Sequence, residues 1–156
     1  MKMSEELNTG TFGTFDYIHP CDEAVLSDSQ EEKDALKKYI VDRDVSLLKL
    51  NDKVKPNVFT FRRLSVQEIT KLRSSTIEIE EKYQLVFSLC FEQVKTTDEK
   101  GKALTIKKDA VKSENDLLSY VVENFGFDTI VDAGMTIIAK SVLGKKNRKP
   151  LNLLAG

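Results

Sequence analysis

Tryptophan is missing from this sequence altogether, and histidine occurs once, at His19. Cys21 and Cys90 are the two cysteines. Together they fall short of the four ligands that a structural zinc site takes, unless carboxylates join. No metal and no cofactor is expected. His19 and Cys21 lie on either side of Pro20, whereas a nucleophile and its base normally come from different parts of a fold. The chain also lacks a Gly-rich phosphate loop, a nucleophile elbow and a zincin helix. With no catalytic residue to name, the reading is that this is not an enzyme.

Long apolar runs are absent too. None approaches the ~18 residues of a membrane span, so no membrane partner is expected. The segment Met1–Glu6 carries the acidic pair Glu5-Glu6 and no apolar h-region, which fits a cytoplasmic chain without a secretion signal. Of the two alternatives, a Cys21–Cys90 disulfide and a reduced pair, the reduced pair is the one expected in such a compartment. Cys90, inside Val86-Phe87-Ser88-Leu89-Cys90-Phe91, reads as a small buried hydrophobe. Neither sign of charge prevails. Lys plus Arg number 24 and Asp plus Glu 25, a net charge of -1, so the whole-chain charge gives no argument for nucleic acid or anionic lipid.

What is present is an ordinary globular composition, 40% apolar and 31% charged over 156 residues. A single domain of this size buries roughly 68–70% of its unfolded surface. Residues 1–25 read as an extended N-terminal arm. Gly10, Gly13 and the repeated Thr-Phe pairs make it irregular, while Phe12, Phe15, Tyr17 and Ile18 are too apolar for a solvated tail. Such an arm should dock, on its own domain or on a neighbour.

The domain proper is expected over 26–143. Ser27 or Asp28 can cap a first helix whose apolar stripe is Ala35, Leu36, Tyr39 and Ile40. Val45–Leu50 and Val58–Leu64 read as two strands of a hairpin, with Phe59 and Phe61 turned to the core. Ser65-Val66-Gln67-Glu68 is a capping box opening a short helix that faces inward with Val66, Ile69 and Leu72. Ile79, Tyr83, Val86, Phe87, Cys90, Phe91 and Val94 recur at spacings of three and four, which predicts a long central helix. Asp98-Glu99-Lys100-Gly101 is a turn, and Leu104 with Ile106 a brief strand. A second box starting at Ser113 opens a helix carrying Leu117, Leu118, Val121, Val122 and Phe125, closed by Gly126. Asp128 caps the last helix, where Ile130, Val131, Ile137, Ile138 and Val142 line the core, Gly134 permits close approach and Gly144 ends it.

Residues 144–156 form a tail in which Lys145, Lys146, Arg148 and Lys149 precede Leu151, Leu153 and Leu154. Charge followed by leucines suits a peptide that inserts into a groove. The partner-binding candidates are therefore Phe12, Phe15 and Tyr17 in the arm, with those seven tail residues. Nucleic acid is the alternative partner, through Arg62 and Arg63 beside Phe59 and Phe61 and through the 145–149 cluster.

The order of a short strand, a loop ending in Lys55-Pro56, then Val58-Phe59-Thr60-Phe61-Arg62-Arg63-Leu64-Ser65 running into helices resembles small tailed-bacteriophage structural proteins, particularly the tail assembly chaperone type. The resemblance covers roughly residues 44–143. It implies a non-enzymatic role in assembly, with other phage structural proteins or copies of the same chain as partners. It also implies a location in the host cytoplasm during assembly, or in the virion. The expected architecture is α+β, mainly α, with a small β-hairpin packed on a bundle of about four to five helices.

Overall fold

The computed structural model describes residues 13–143. Nine elements follow one another: β1 (Thr14–Tyr17), α1 (Gln30–Asp42), β2 (Val58–Arg62), α2 (Val66–Ser74), α3 (Ile79–Cys90), β3 (Phe91–Thr97), β4 (Ala103–Lys107), α4 (Glu114–Phe125) and α5 (Phe127–Leu143). The class is α+β, mainly α, as the sequence predicts. The sheet is larger than a hairpin. It has four antiparallel strands in the order β1-β2-β3-β4.

Alternation decides which way the sheet faces. Phe59 and Phe61 on β2 are buried between half-exposed neighbours. Phe15 pairs with Phe61, Tyr17 with Phe59, Phe59 with Val94 and Phe61 with Phe91. That places the aromatic side chains together on the face covered by α3, α4 and α5. The Phe59 and Phe61 rings lie parallel at 5.9 Å, Phe87 of α3 meets Phe61 edge-on at 5.0 Å, and Phe125 of α4 meets Phe59 at 5.2 Å. Offset and edge-on contacts of this kind add to the large apolar area each ring buries. The other face of the sheet is polar, with Asp16, Thr60, Gln93 and Lys107 in one row across the four strands.

The predicted central helix over Ile79–Val94 stops at Cys90, and Phe91 opens a strand. Two residues of β3 advance where β2 advances one, between the pairs Phe61–Phe91 and Thr60–Gln93. Such a bulge inserts Glu92 into the ladder. It lets Phe91 and Val94, three residues apart, both turn inward, which mimics helical spacing.

The expected strand at Val45–Leu50 is instead a single 3-10 turn, Val45–Leu47, whose first amides are held by Asp44. Leu50 makes only an isolated bridge with Val25. The strand that pairs with β2 in its place comes from the N-terminal arm. Residues 14–25 are thus part of the fold, since β1 supplies Tyr17 to the core and Ile18 and Ala24 are buried.

Caps behave largely as their chemistry dictates. Ser65 and Glu68 form the reciprocal box before α2, and Ser113 accepts from the amide of Asp116 before α4. The first helix is capped by Ser29 rather than by Ser27 or Asp28. Only Ser29 stands three residues before Glu32, whose carboxylate returns to the cap amide. Gly126 takes φ 96 as the joint between α4 and α5, so Asp128 falls inside the first turn of α5 instead of capping it. Val66 is 80% exposed, because α2 buries only Ile69 and Leu72. Gly144 lies outside the described residues.

Two features fix α5. A Cβ at Gly134 would stand 2.8 Å from the Cβ of Tyr83 and 3.0 Å from its Cα and carbonyl oxygen, so α3 and α5 touch backbone to backbone. On the other side of α5, Asp132 receives both guanidinium nitrogens of Arg43, at 2.7 and 2.9 Å, and the Tyr17 hydroxyl at 2.6 Å. Burial would raise the Asp132 pKa, but these three donors more than offset it and hold the carboxyl below its usual range. Arg43 itself sits at φ 56 just past the end of α1. A left-handed residue costs about 1–2 kcal/mol, and the fork on Asp132 holds it there. β1, α1 and α5 are locked together at this one carboxylate.

Candidate functional site

Two of the arm residues expected to meet a partner are within the described structure, and both turn into the chain's own domain. Tyr17 is fully buried, and burial together with its bond to Asp132 pushes its phenol pKa up. Phe15 packs on Phe61, with Arg63 and Lys140 over its ring at 5.7 and 5.6 Å. Phe12 and all seven tail candidates, Lys145, Lys146, Arg148, Lys149, Leu151, Leu153 and Leu154, lie outside the described residues.

The arginines proposed for nucleic acid have intramolecular work. Arg62 forms a two-bond fork with Glu68 at 2.9 Å each, and Arg63 donates to the carbonyl of Lys140 at 3.3 Å. The Arg62 fork, ahead of the cap contacts with Ser65, lowers the Glu68 pKa to about 2. The phenylalanines beside them face the core. On the opposite side of β2, Val58 packs on the small cluster of Ile18, Tyr39 and Leu48 while Thr60 and Arg62 face outward, which gives bases no ring to stack on.

A cleft of about 620 Å³ opens at one end of the sheet. The loop after β1, the loop before β2, the β3–β4 turn and the α4–α5 joint contribute to it. Phe59 and Phe125 form its floor, with His19, Lys53, Lys55, Asn57 and Asn124 among the polar lining. His19 and Cys21 do meet there, but not as a nucleophile and its base. Nδ1 of His19 accepts the Cys21 backbone amide at 3.0 Å, and Nε2 stands 3.2 Å from Oδ2 of Asp128. Both ring nitrogens are engaged, so the imidazole joins the loop to the start of α5. Asp22 does similar work, accepting the amides of Ala24 and Asn57 at 2.9 and 3.0 Å. Among the described residues no group of three or more His, Cys, Asp or Glu is placed to hold a metal ion. No described helix is long and apolar enough to cross a membrane.

Comparison with known protein families, with curated proteins and with solved structures finds no match to this chain.

The surface feature that sequence reasoning missed lies on α4 and α5. Ile130, Ala133 and Ile137 of α5 are buried, as their spacing predicts. A second stripe runs beside them at steps of four, four, three and four: Phe127, Val131, Met135, Ile138 and Val142. Phe127, Met135 and Val142 are 40%, 49% and 40% exposed, and Val122 of α4 is 42% exposed. At the α4 end of the stripe a groove of about 260 Å³ is lined by Gln84 of α3, Leu118 and Val122 of α4, and Phe127 and Ile130 of α5. The signal was present in the sequence, since α5 carries two apolar stripes where one would suffice for a surface helix. Val142, expected to line the core, is instead part of this half-exposed stripe.

Proposed function

We propose that this chain acts through protein contacts in building a larger assembly, as a bacteriophage structural or tail-assembly accessory protein. The observation that carries the reading is the apolar stripe on α5, continued by Val122, which the domain leaves half-exposed after filling its own core. Clustered apolar surface of this kind marks contact with another macromolecule, whereas singly scattered residues do not. The phage identity rests on the resemblance of residues 44–143. The partners are other structural proteins of the particle or copies of the chain itself, met in the host cytoplasm during assembly or in the virion. The cleft at His19 plays a scaffolding part in this account, because its histidine and Asp22 hold loops.

Light scattering at rising concentration, alone and with candidate virion proteins, tests the reading. Self-association or complex formation is expected, and Met135→Glu should weaken it. A chain that stays strictly monomeric and binds none of those proteins would refute it. Binding to DNA that falls steeply with salt, without any protein partner, would favour the nucleic-acid alternative instead.

A further inference from the structure

The groove between α3, α4 and α5 has a chemistry that matches another part of the same chain. Its walls are apolar, from Leu118, Val122, Phe127 and Ile130. Its rim is acidic. Glu123 lines it, and Glu80 is exposed one turn before Gln84 on the same face of α3. Neither glutamate makes an ion pair among the described residues. At about 260 Å³ it is smaller than the roughly 300–1,000 Å³ of typical small-molecule sites, which favours a few aliphatic side chains as the occupant. The segment after α5 offers those side chains and the opposite charge: Lys145, Lys146, Arg148 and Lys149, then Pro150, then Leu151, Leu153 and Leu154.

We infer that residues 145–154 of one copy dock in this groove of a second copy, leucines on the apolar walls and lysines against Glu80 and Glu123. The inference rests on the assembly reading above and names its partner. Geometry favours the exchange between copies over docking within one. The groove lies at Phe127, the first residue of α5, and the tail leaves from Leu143, its last. At about 1.5 Å rise per residue those ends are roughly 24 Å apart. The eight residues from Leu143 to Leu151 span at most roughly 26–29 Å fully extended. Docking in the same copy would use almost all of that reach, leaving little for the reversal of direction or for seating three leucines. A tail donated to a neighbour carries no such restraint. Given reciprocally between two copies the exchange closes a two-fold dimer, and passed one way it propagates into rings or open filaments.

Two variants and their mixture provide the test. Val122→Glu spoils the groove at an exposed position. A chain with Leu151→Asp, Leu153→Asp and Leu154→Asp spoils the tail. Circular dichroism checks that both fold, and light scattering measures size. The wild-type chain should associate, more weakly at high salt because the charge contacts are screened. Each variant alone should be monomeric. Their mixture should give a capped dimer of one copy of each, since one good groove and one good tail remain. A synthetic peptide of residues 145–154 should bind the wild-type chain, bind Val122→Glu at least tenfold more weakly, and dissociate the wild-type oligomer. Association that survives in the tail variant would overturn this inference while leaving the assembly reading intact. A mixture that stays monomeric, or a wild-type monomer whose own tail blocks the peptide, would also overturn it. A wild-type monomer that binds neither peptide nor virion proteins would remove both readings.

Discussion

Replacing Gly134 with alanine should destabilise the protein, although alanine is the better helix former. In the interior of a helix the exchange is worth about 1 kcal/mol in alanine's favour. At Gly134 the new methyl would lie 2.8 Å from Tyr83 Cβ and 3.0 Å from Tyr83 Cα and carbonyl oxygen. These atoms belong to the backbone and first side-chain carbon of α3, so no rotamer change relieves the contact, and the two helices must separate. Overpacking a close contact costs about 1–3 kcal/mol. Because three fixed atoms are involved, the upper half of that range applies, and the net loss is about 1–2 kcal/mol. For a chain of this length, each kcal/mol lowers Tm by about 2–4 °C, so the drop should be about 2–8 °C. With no tryptophan to report, thermal and urea unfolding are best followed by circular dichroism. Ala139→Gly, at an exposed position on the same helix, isolates the propensity term and should cost about 1 kcal/mol. A Gly134→Ala chain as stable as the parent, or more so, would show that α3 and α5 are not in backbone contact.

Two further outcomes follow from titratable groups. Glu68 has its pKa lowered to about 2, against about 4.3 in an unfolded chain. Its contribution to stability is therefore present above about pH 4.3 and lost as the pH falls toward 2. Urea midpoints of the parent and of Glu68→Gln should differ most near neutrality and converge at low pH, and a gap independent of pH would refute the Arg62 fork. Cys90 is fully buried and its thiol is pushed up to about 12 by burial, whereas Cys21 is exposed. A thiol reagent should label Cys21 alone in the native protein and Cys90 only after unfolding; rapid native labelling of Cys90 would mean that the phenylalanine core opens readily.

Local chemistry was the most legible part of this chain. The Ser65–Glu68 box, the Ser113 cap, the Gly126 joint and the inward faces of Phe59 and Phe61 follow from rules that act within a few residues. The sheet was less legible, because its pairings join distant segments. β1 pairs with a strand more than 40 residues later, and nothing near Thr14 announces that partner. β3 was concealed for a different reason. The bulge at Glu92 gives Phe91 and Val94 the spacing of a helix, and they continue the stripe of α3 without a break. The same ambiguity affected the candidate site. Val122 and Val142 have the periodicity of core residues, and only the positions of neighbouring helices reveal that the domain leaves them half-exposed. The cleft at His19 draws on four separated loops, which no spacing rule connects.

Arg63 has a consequence for where the chain's two flanking segments lie. Its backbone amide donates to the carbonyl of Gly13, and its guanidinium reaches the carbonyl of Lys140. The segments before residue 13 and after residue 143 therefore leave the domain from neighbouring points at one pole. An affinity tag or fluorophore attached to either segment would crowd the same corner, and a donor–acceptor pair divided between them would report high energy transfer in the isolated chain. A short linker joining the two would permit circular permutation, with new ends opened in the exposed turn at Gly101. In an assembly, everything that these segments tether would be gathered on one side of each copy, giving a row of such copies a front and a back.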